Sequence, residues 1–168
     1  IEDLYPTDEA WSLDMDKLKA LTAELAAFAG TLGQDAKTLL AYAQKMEQAS
    51  VLLSNLFNYS SRRNDADTRV GKYQEMNGMA MSAYVGFSSA TSFETPEIMS
   101  IPEADMERFY AEEPGLERYR RYIFNIRRHA EHVLSPAEEK LLAMTGEMMQ
   151  APDEIYSQFA DGALTLPH

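Results

Sequence analysis

The chain has 168 residues, a length at which a single folded domain removes roughly 70% of its unfolded surface from water. It carries no cysteine, which excludes disulfide bridges, thiolate metal sites and cysteine nucleophiles and favours a reducing cytoplasm. The formal charge of −12 at pH 7 would repel phosphate backbones, so nucleic acid is not an expected partner. No stretch approaches the ~20 uninterrupted apolar residues of a spanning helix, so we expect no membrane contact either.

Apolar periodicity predicts two long helices near the start of the chain. Over Asp8 to Ala29, apolar residues recur every three or four positions, as on the buried face of an amphipathic helix. Gly30 and Gly33 then end this helix, and Asp35 is the expected N-cap of a second helix that continues to about Ser61. The two apolar stripes are Trp11, Met15, Leu18, Leu21, Leu25 and Phe28, and Leu39, Tyr42, Ala43, Met46, Leu53, Leu56 and Phe57.

A polar turn is predicted where the second helix gives way to a third. Asn64, Asp65 and Asp67 are typical turn residues, and Asp67 is a suitable N-cap for a third helix that runs to about Ser92. This helix would carry Gly71, Gly78 and Gly86 on one face. Because each glycine costs helix stability, we expect a neighbouring helix to pack closely there, rather than a ligand to bind the backbone.

Prolines predict the shorter helices of the second half. Pro96 and Pro102 interrupt regular structure and begin short helical turns, the latter ending near Tyr110. Pro114 begins another helix that runs to about His129. Further helices are predicted from the capping box of Ser135–Glu138 and over Pro152–Phe159.

These elements predict an all-α fold. No strand-like alternation, fixed repeat or domain-dividing linker is visible in the sequence. We therefore expect residues 1–168 to form a single helical domain, a bundle of about six to eight helices with two long antiparallel helices near its start.

The histidines are the first place to look for a metal site, and their spacing argues against one. His129 and His132 are three residues apart with Glu131 between them. An HExxH helix needs glutamate directly after the first histidine, and the inverted HxxEH form needs histidine where Arg128 stands. No glutamate lies three residues before His129, His132 or His168, and no Gly-x-Ser-x-Gly or phosphate-loop motif is present. We expect no catalytic, cofactor-binding or metal-ligating residue in this chain.

Two other clusters have a structural and a functional interpretation. Six methionines could form an adaptable binding surface, but core filling is the expected role of Met76, Met79, Met81, Met144, Met148 and Met149. The one basic cluster with aromatic neighbours consists of Tyr119, Arg120, Arg121, Tyr122, Arg127 and Arg128. Within a helix Glu117 would reach Arg121 four residues on, so neutralisation by neighbouring carboxylates is expected, with a site for a peptide carboxylate as the alternative.

The order of these features resembles the oligoendopeptidase F family of zinc metallopeptidases, in the helical region ahead of the catalytic domain. The matching stretches are residues 3–11 (DLYPTDEAW), 56–60 (LFNYS), 65–68 (DADT), 96–98 (PEI), Leu116 and Tyr119 continuing to Arg128 and His129, and 134–142 (LSPAEEKLL). The resemblance covers nearly the whole chain.

What the resemblance implies concerns a longer parent enzyme. Members of the family are cytoplasmic enzymes that cut short peptides and hold zinc with an HExxH helix and a downstream glutamate, none of which is in this chain. The expected partners are accordingly the catalytic zinc domain of the same parent chain and oligopeptide substrates. By resemblance, the segment would form one wall of a substrate channel and be inactive alone. The alternative is a free-standing acidic helical binding or scaffold protein; a self-contained enzyme is a third reading, without a convergent pair of residues to support it.

Overall fold

A computed structural model describes residues 4–67 and 69–128, and these residues form helices and no strand. The elements are α1 (Asp8–Ala26), α2 (Ala36–Ala66), α3 (Gly71–Ala90), α4 (Glu94–Ser100), α5 (Glu103–Glu112), a 3₁₀-helix (Pro114–Tyr119) and α6 (Arg120–Arg128). The all-α prediction is confirmed. None of the helices in these two ranges is both long and apolar enough to cross a bilayer. The helices predicted from Ser135–Glu138 and over Pro152–Phe159 lie outside the described residues.

The first two helices are antiparallel, as predicted. The Tyr59 hydroxyl, late in α2, donates to Asp8 at the start of α1 over 2.7 Å. Nearer the middle of α2, Lys45 forms an ion pair with Glu24 close to the end of α1. The expected cap of α2 is present as well, because the Asp35 carboxylate accepts a hydrogen bond from the backbone amide of Thr38 over 2.8 Å.

The first helix is shorter than the sequence predicts. It ends at Ala26, whereas the apolar periodicity predicts a helix that continues to Ala29. Beyond that point the amide of Phe28 bonds to the carbonyl of Leu25 over 3.0 Å, three residues back, so the chain has tightened into turns that break the α-helical ladder. Gly30 then adopts a φ of +80°, a left-handed conformation that a residue with a side chain rarely takes.

The second helix is longer, and the turn that follows it is displaced. It continues to Ala66, so Asn64 and Asp65 are helical and the predicted polar turn is wrong. The guanidinium of Arg63 lies 5.2 Å from the Tyr59 ring centroid and 5.7 Å from that of Tyr73 in α3. Arg63 thus contacts the rings of both tyrosines and gives the last turns of α2 a tertiary contact. This contact outweighs the turn preference of Asn64 and Asp65.

Asp67 is not the N-cap of α3. That helix begins at Gly71 after Val70 and ends at Ala90, close to the predicted end at Ser92. The Asp67 carboxylate instead accepts from the side chain and backbone amide of Arg69, over 2.8 and 3.1 Å. The Asp67 oxygens that an N-cap would need are therefore bonded to Arg69, two residues further along the chain.

The shorter helices begin where prolines predict. Pro96 lies in the first turn of α4, Pro102 directly precedes α5, and Pro114 is the first residue of the 3₁₀-helix. The segment predicted as one helix from Pro114 therefore starts with 3₁₀ geometry and becomes α-helical at Arg120. At this 3₁₀-helix, a Cβ on Gly115 would stand 3.0 Å from Leu40 Cδ2 of α2, so the glycine permits close packing.

The core is continuous from α1 to α6. Most residues of the two predicted stripes are buried, while Leu21, Phe28, Met46 and Phe57 are partly buried against them. The largest fully buried side chains are Trp11, Met15, Leu18, Leu25, Leu32, Leu39, Tyr42, Leu56, Tyr59, Ile98, Met106 and Phe109.

Candidate functional site

The beginning of α1 joins three helices through one carboxylate. Asp8 accepts from the Tyr59 hydroxyl and lies 2.6 Å from the ammonium of Lys72 in α3. The bond from Lys72 holds the pKa of Asp8 below its usual value. One turn later, Trp11 is buried and its indole N–H donates to the carbonyl of Leu56 over 2.9 Å. These residues of the matching stretches are structural, because their polar atoms are engaged within the bundle.

Glu97 has a similar structural role at the turn after α1. Its carboxylate accepts hydrogen bonds from the amides of Gly30 and Leu32, the second over 3.2 Å. These bonds join α4 to the turn across 67 and 65 residues of sequence. The glutamate of the Pro96-Glu97-Ile98 stretch thus holds a left-handed turn in place.

A buried carboxyl lies at the junction of α2, α4 and α6. Glu94 is buried, and the Tyr122 hydroxyl donates to its carboxylate over 2.5 Å. Burial raises the pKa of Glu94, an effect that the Tyr122 hydrogen bond only partly opposes. The Tyr42 hydroxyl is also buried beside this carboxyl, and burial and the nearby Glu94 charge raise the pKa of Tyr42.

An open apolar groove runs between α1 and α3 and has a volume of about 750 Å³. We call it the α1–α3 groove; its lining is Met15, Leu18, Lys19, Thr22, Glu75, Gly78, Met79, Ser82, Ala83, Gly86 and Phe87. The predicted close packing at the glycines is wrong for the described part of the chain. A Cβ added at Gly71, Gly78 or Gly86 would meet nothing within 4 Å. The glycines therefore open the surface of α3 where a neighbouring helix was expected.

The methionines of α3 divide between core and surface. Met76 is buried, as expected of a core residue. Met79 and Met81 are 41% and 47% exposed, so core filling is the wrong interpretation for them. The remaining methionines considered, Met144, Met148 and Met149, lie outside the described residues.

A second groove of about 740 Å³ contains the basic cluster. We call it the α5–α6 groove; its lining is Glu103, Met106, Glu107, Tyr110, Glu117, Arg120, Arg121, Phe124, Arg127 and Arg128. Arg120 is paired with a neighbouring carboxylate, as expected for the cluster, but the two residues are three apart in the sequence where a separation of four was predicted. Arg120 bonds Glu117 over 2.9 Å, three residues back, because the 3₁₀ segment brings residues i and i+3 together. The predicted pair between Glu117 and Arg121 does not form.

The other arginines of this groove fall into two classes. Arg127 donates to the carbonyls of Ile98 and Ile101, over 3.1 and 2.6 Å, and to Glu103 over 2.6 Å. It is a structural residue that closes the end of α4. Arg121 and Arg128 are exposed and have no hydrogen-bonding or ionic partner among residues 4–67 and 69–128. Within the described part of the chain, they are the arginines of the α5–α6 groove without a partner.

Zinc does not fit the residues that the structure describes. Protein zinc sites are built from thiolate, imidazole and carboxylate ligands, and the typical sets include at least one imidazole or thiolate. The sequence has no cysteine, and His129, His132 and His168 lie outside the described ranges. Within those ranges no group of three or more potential ligands is close enough to hold a metal ion. We therefore assign no chemical step to zinc on these residues.

Comparisons with known proteins agree with the arrangement of these stretches. A family described as Oligopeptidase F matches residues 97–165. Oligopeptidase PepF of Bacillus subtilis is 32% identical over 167 residues, covering 99% of this chain and 25% of the relative. Group B oligopeptidase PepB of Streptococcus agalactiae is 32% identical over 164 residues, covering 98% of this chain and 27% of the relative.

The structural comparison gives the same result. The crystal structure of oligoendopeptidase-F from Enterococcus faecium superposes with a TM-score of 0.76 at 29% identity, covering 95% of this chain and 31% of that one. The chain thus spans about a quarter of the length of the curated relatives it matches. The chain is thus similar, over nearly its whole length, to the amino-terminal helical region of longer oligoendopeptidase F-type peptidases.

Proposed function

We propose that this chain is the amino-terminal helical segment of a cytoplasmic zinc metallopeptidase that hydrolyses short peptides. In this proposal it forms one wall of the substrate channel, and it is inactive alone because the catalytic zinc domain belongs to the remainder of the same parent chain. One observation carries the proposal. The chain spans about a quarter of the length of its relatives, and one face of α3 that has no charged residue is exposed to solvent.

The composition of α3 supports a role as a contact surface. Residues 76–90 contain no charged side chain, although the whole chain carries a charge of −12. Met79, Met81, Tyr84 and Val85 are all exposed on this helix, Val85 by 60%. Met81, Tyr84 and Val85 lie on one side of the helix, and apolar residues grouped on an exposed helix face mark a surface that contacts a partner or ligand.

The α1–α3 groove has properties suited to an extended peptide. Its lining is mainly apolar, with Lys19, Glu75 and the hydroxyls of Thr22 and Ser82 as polar groups. At Gly78 and Gly86 a ligand could approach the helix backbone closely, because no side chain stands there. The role of these residues is to bind and orient a substrate and to exclude water, and the chemical step belongs to other parts of the parent.

The first test separates the segment from a self-contained enzyme. The 168-residue chain is assayed with internally quenched octapeptides and titrated with zinc. We expect neither cleavage nor tight zinc binding. Chelator-sensitive cleavage by this chain alone would refute the division of roles.

The second test examines the channel wall in the longer protein. Gly78→Leu places a side chain in the α1–α3 groove, and Gly71→Leu is the matched control because it also faces open space but lies outside the lining. We expect Gly78→Leu to raise KM for octapeptides roughly tenfold, the effect of losing about 1.4 kcal/mol of binding, and the control to leave KM unchanged. Equal kinetics for both variants would exclude this groove from substrate binding.

A further inference from the structure

One face of α6 presents two arginines that have no partner among residues 4–67 and 69–128, on either side of an exposed aromatic ring. Arg121, Phe124 and Arg128 are spaced at i, i+3 and i+7, so they lie along one side of the helix. All three line the α5–α6 groove, and the Phe124 side chain is 59% exposed. Neither core packing nor ion pairing among the described residues explains this arrangement.

The other charges of the groove are engaged with one another. Arg120 bonds Glu117 and Glu107, over 2.9 and 3.1 Å, and its guanidinium stacks 3.9 Å from the centroid of the Tyr110 ring. Arg127 bonds Glu103 and two backbone carbonyls. Each of the three carboxylates of the lining is thus bonded to an arginine, Arg120 being shared by two of them, and the four arginines and three glutamates leave the lining with a net positive charge in a chain whose net charge is −12.

We propose that the α5–α6 groove binds the C-terminal carboxylate of an oligopeptide, with Arg121 and Arg128 as its ligands and Phe124 against the last side chain. This inference rests on the proposed function, in which oligopeptides are the substrates, and it adds the peptide terminus as the recognised group.

The chemistry of the groove favours a carboxylate over other anions. A guanidinium presents parallel N–H donors that match the two oxygens of a carboxylate. Nucleic acids and other polyanions would be repelled by the strongly acidic remainder of the chain, whereas a single negative charge beside an apolar side chain would not. Phe124 and the buried Met106 provide the apolar contacts for such a terminal residue.

The test is a binding measurement on the 168-residue chain and needs no catalysis. The probe is N-acetyl-Ala-Ala-Ala-Leu as the free acid, compared with its C-terminal amide, and the readout is the NMR shift of the arginine side-chain N–H signals of labelled protein. We expect the amide to bind about tenfold more weakly, and Arg121→Gln or Arg128→Gln to weaken binding of the free acid about threefold each, as for exposed ion pairs. Phe124→Ala should weaken both peptides alike.

The matched control is Arg62→Gln. Arg62 of α2 is also exposed, and it has no ionic partner within the described ranges and does not line the α5–α6 groove, so its substitution should leave the affinity unchanged. Equal affinity for acid and amide, or equal effects of Arg62→Gln and Arg121→Gln, would overturn the inference.

The outcomes also separate this inference from the proposed function. If the longer protein cleaves peptides while the groove does not discriminate acid from amide, the carboxylate site is wrong and the peptidase assignment stands. If the groove discriminates while the longer protein cleaves nothing, the peptide-binding site stands and the peptidase assignment fails.

Discussion

Replacing Glu97 tests the reason for its position in α4. Glu97→Ala removes a carboxylate that accepts hydrogen bonds from the amides of Gly30 and Leu32. A hydrogen bond to a charged group contributes roughly 1.5–3 kcal/mol when it is sequestered and less when water can replace it. Because this site is partly exposed, we expect a loss of about 2 kcal/mol in the free energy of unfolding for the two bonds together. In a chain of this size that corresponds to a decrease in Tm of roughly 4–8 °C.

The assay can use the chain's own fluorophore. Trp11 is the only tryptophan and is 1% exposed, so its emission in a urea titration reports unfolding of the core. Glu97→Gln keeps one acceptor oxygen and should lose about 1 kcal/mol, half of the alanine effect. The control is Glu24→Ala, which removes an exposed carboxylate paired with Lys45 and should change stability by less than about 0.5 kcal/mol. If Glu97→Ala also stays within 0.5 kcal/mol of wild type, the turn does not depend on this carboxylate.

Three further predictions concern buried charge and helix propensity. Burial raises the pKa of Glu94, so the stabilisation linked to its protonation is complete below the ordinary carboxyl pKa and is lost as pH rises through the raised value; Glu94→Gln should flatten this part of the stability–pH profile. Lys72 lowers the pKa of Asp8, so the stabilisation linked to ionisation of Asp8 is complete above the ordinary carboxyl pKa and is lost as pH falls through the lowered pKa. Asp8→Asn should remove this pH dependence of stability. Because their added methyl groups meet open space, Gly78→Ala and Gly86→Ala should each raise stability by about 0.5–1 kcal/mol in urea titrations, and a loss at either position would show that its surface is covered.

Local signals in the sequence were sufficient for much of the architecture. The Asp35 cap depends on a carboxylate and an amide only three residues away, and it forms as predicted. The buried stripe from Trp11 to Leu25 follows from helical periodicity alone. Contacts between distant segments were not accessible in the same way: nothing near Glu97 in the chain indicates that it bonds a turn at Gly30, 67 residues earlier.

The candidate sites were predicted less completely, for reasons of geometry. The sequence shows where the basic cluster lies, but which of its arginines are paired with carboxylates depends on helix type. With 3.6 residues per turn Glu117 would face Arg121, whereas the 3₁₀ segment directs it to Arg120 and leaves Arg121 without an ionic partner in the described part of the chain. A change of less than one residue per turn thus decides which cation is available to a ligand.

The glycines of α3 connect the stability of this segment with its proposed role. Gly78 and Gly86 lie within a helix, where each costs about 1 kcal/mol relative to alanine, and their open surroundings show no contact among the described residues that offsets this cost. Met79 and Val85, which stand next to these glycines in the sequence, add exposed apolar area to the cost. In the segment alone, the glycines lower the stability of the helix and the apolar residues are exposed to water. Both features are useful if a peptide or the rest of the parent enzyme contacts α3. This surface therefore fits the channel wall that we propose better than it fits a helix face that only meets water.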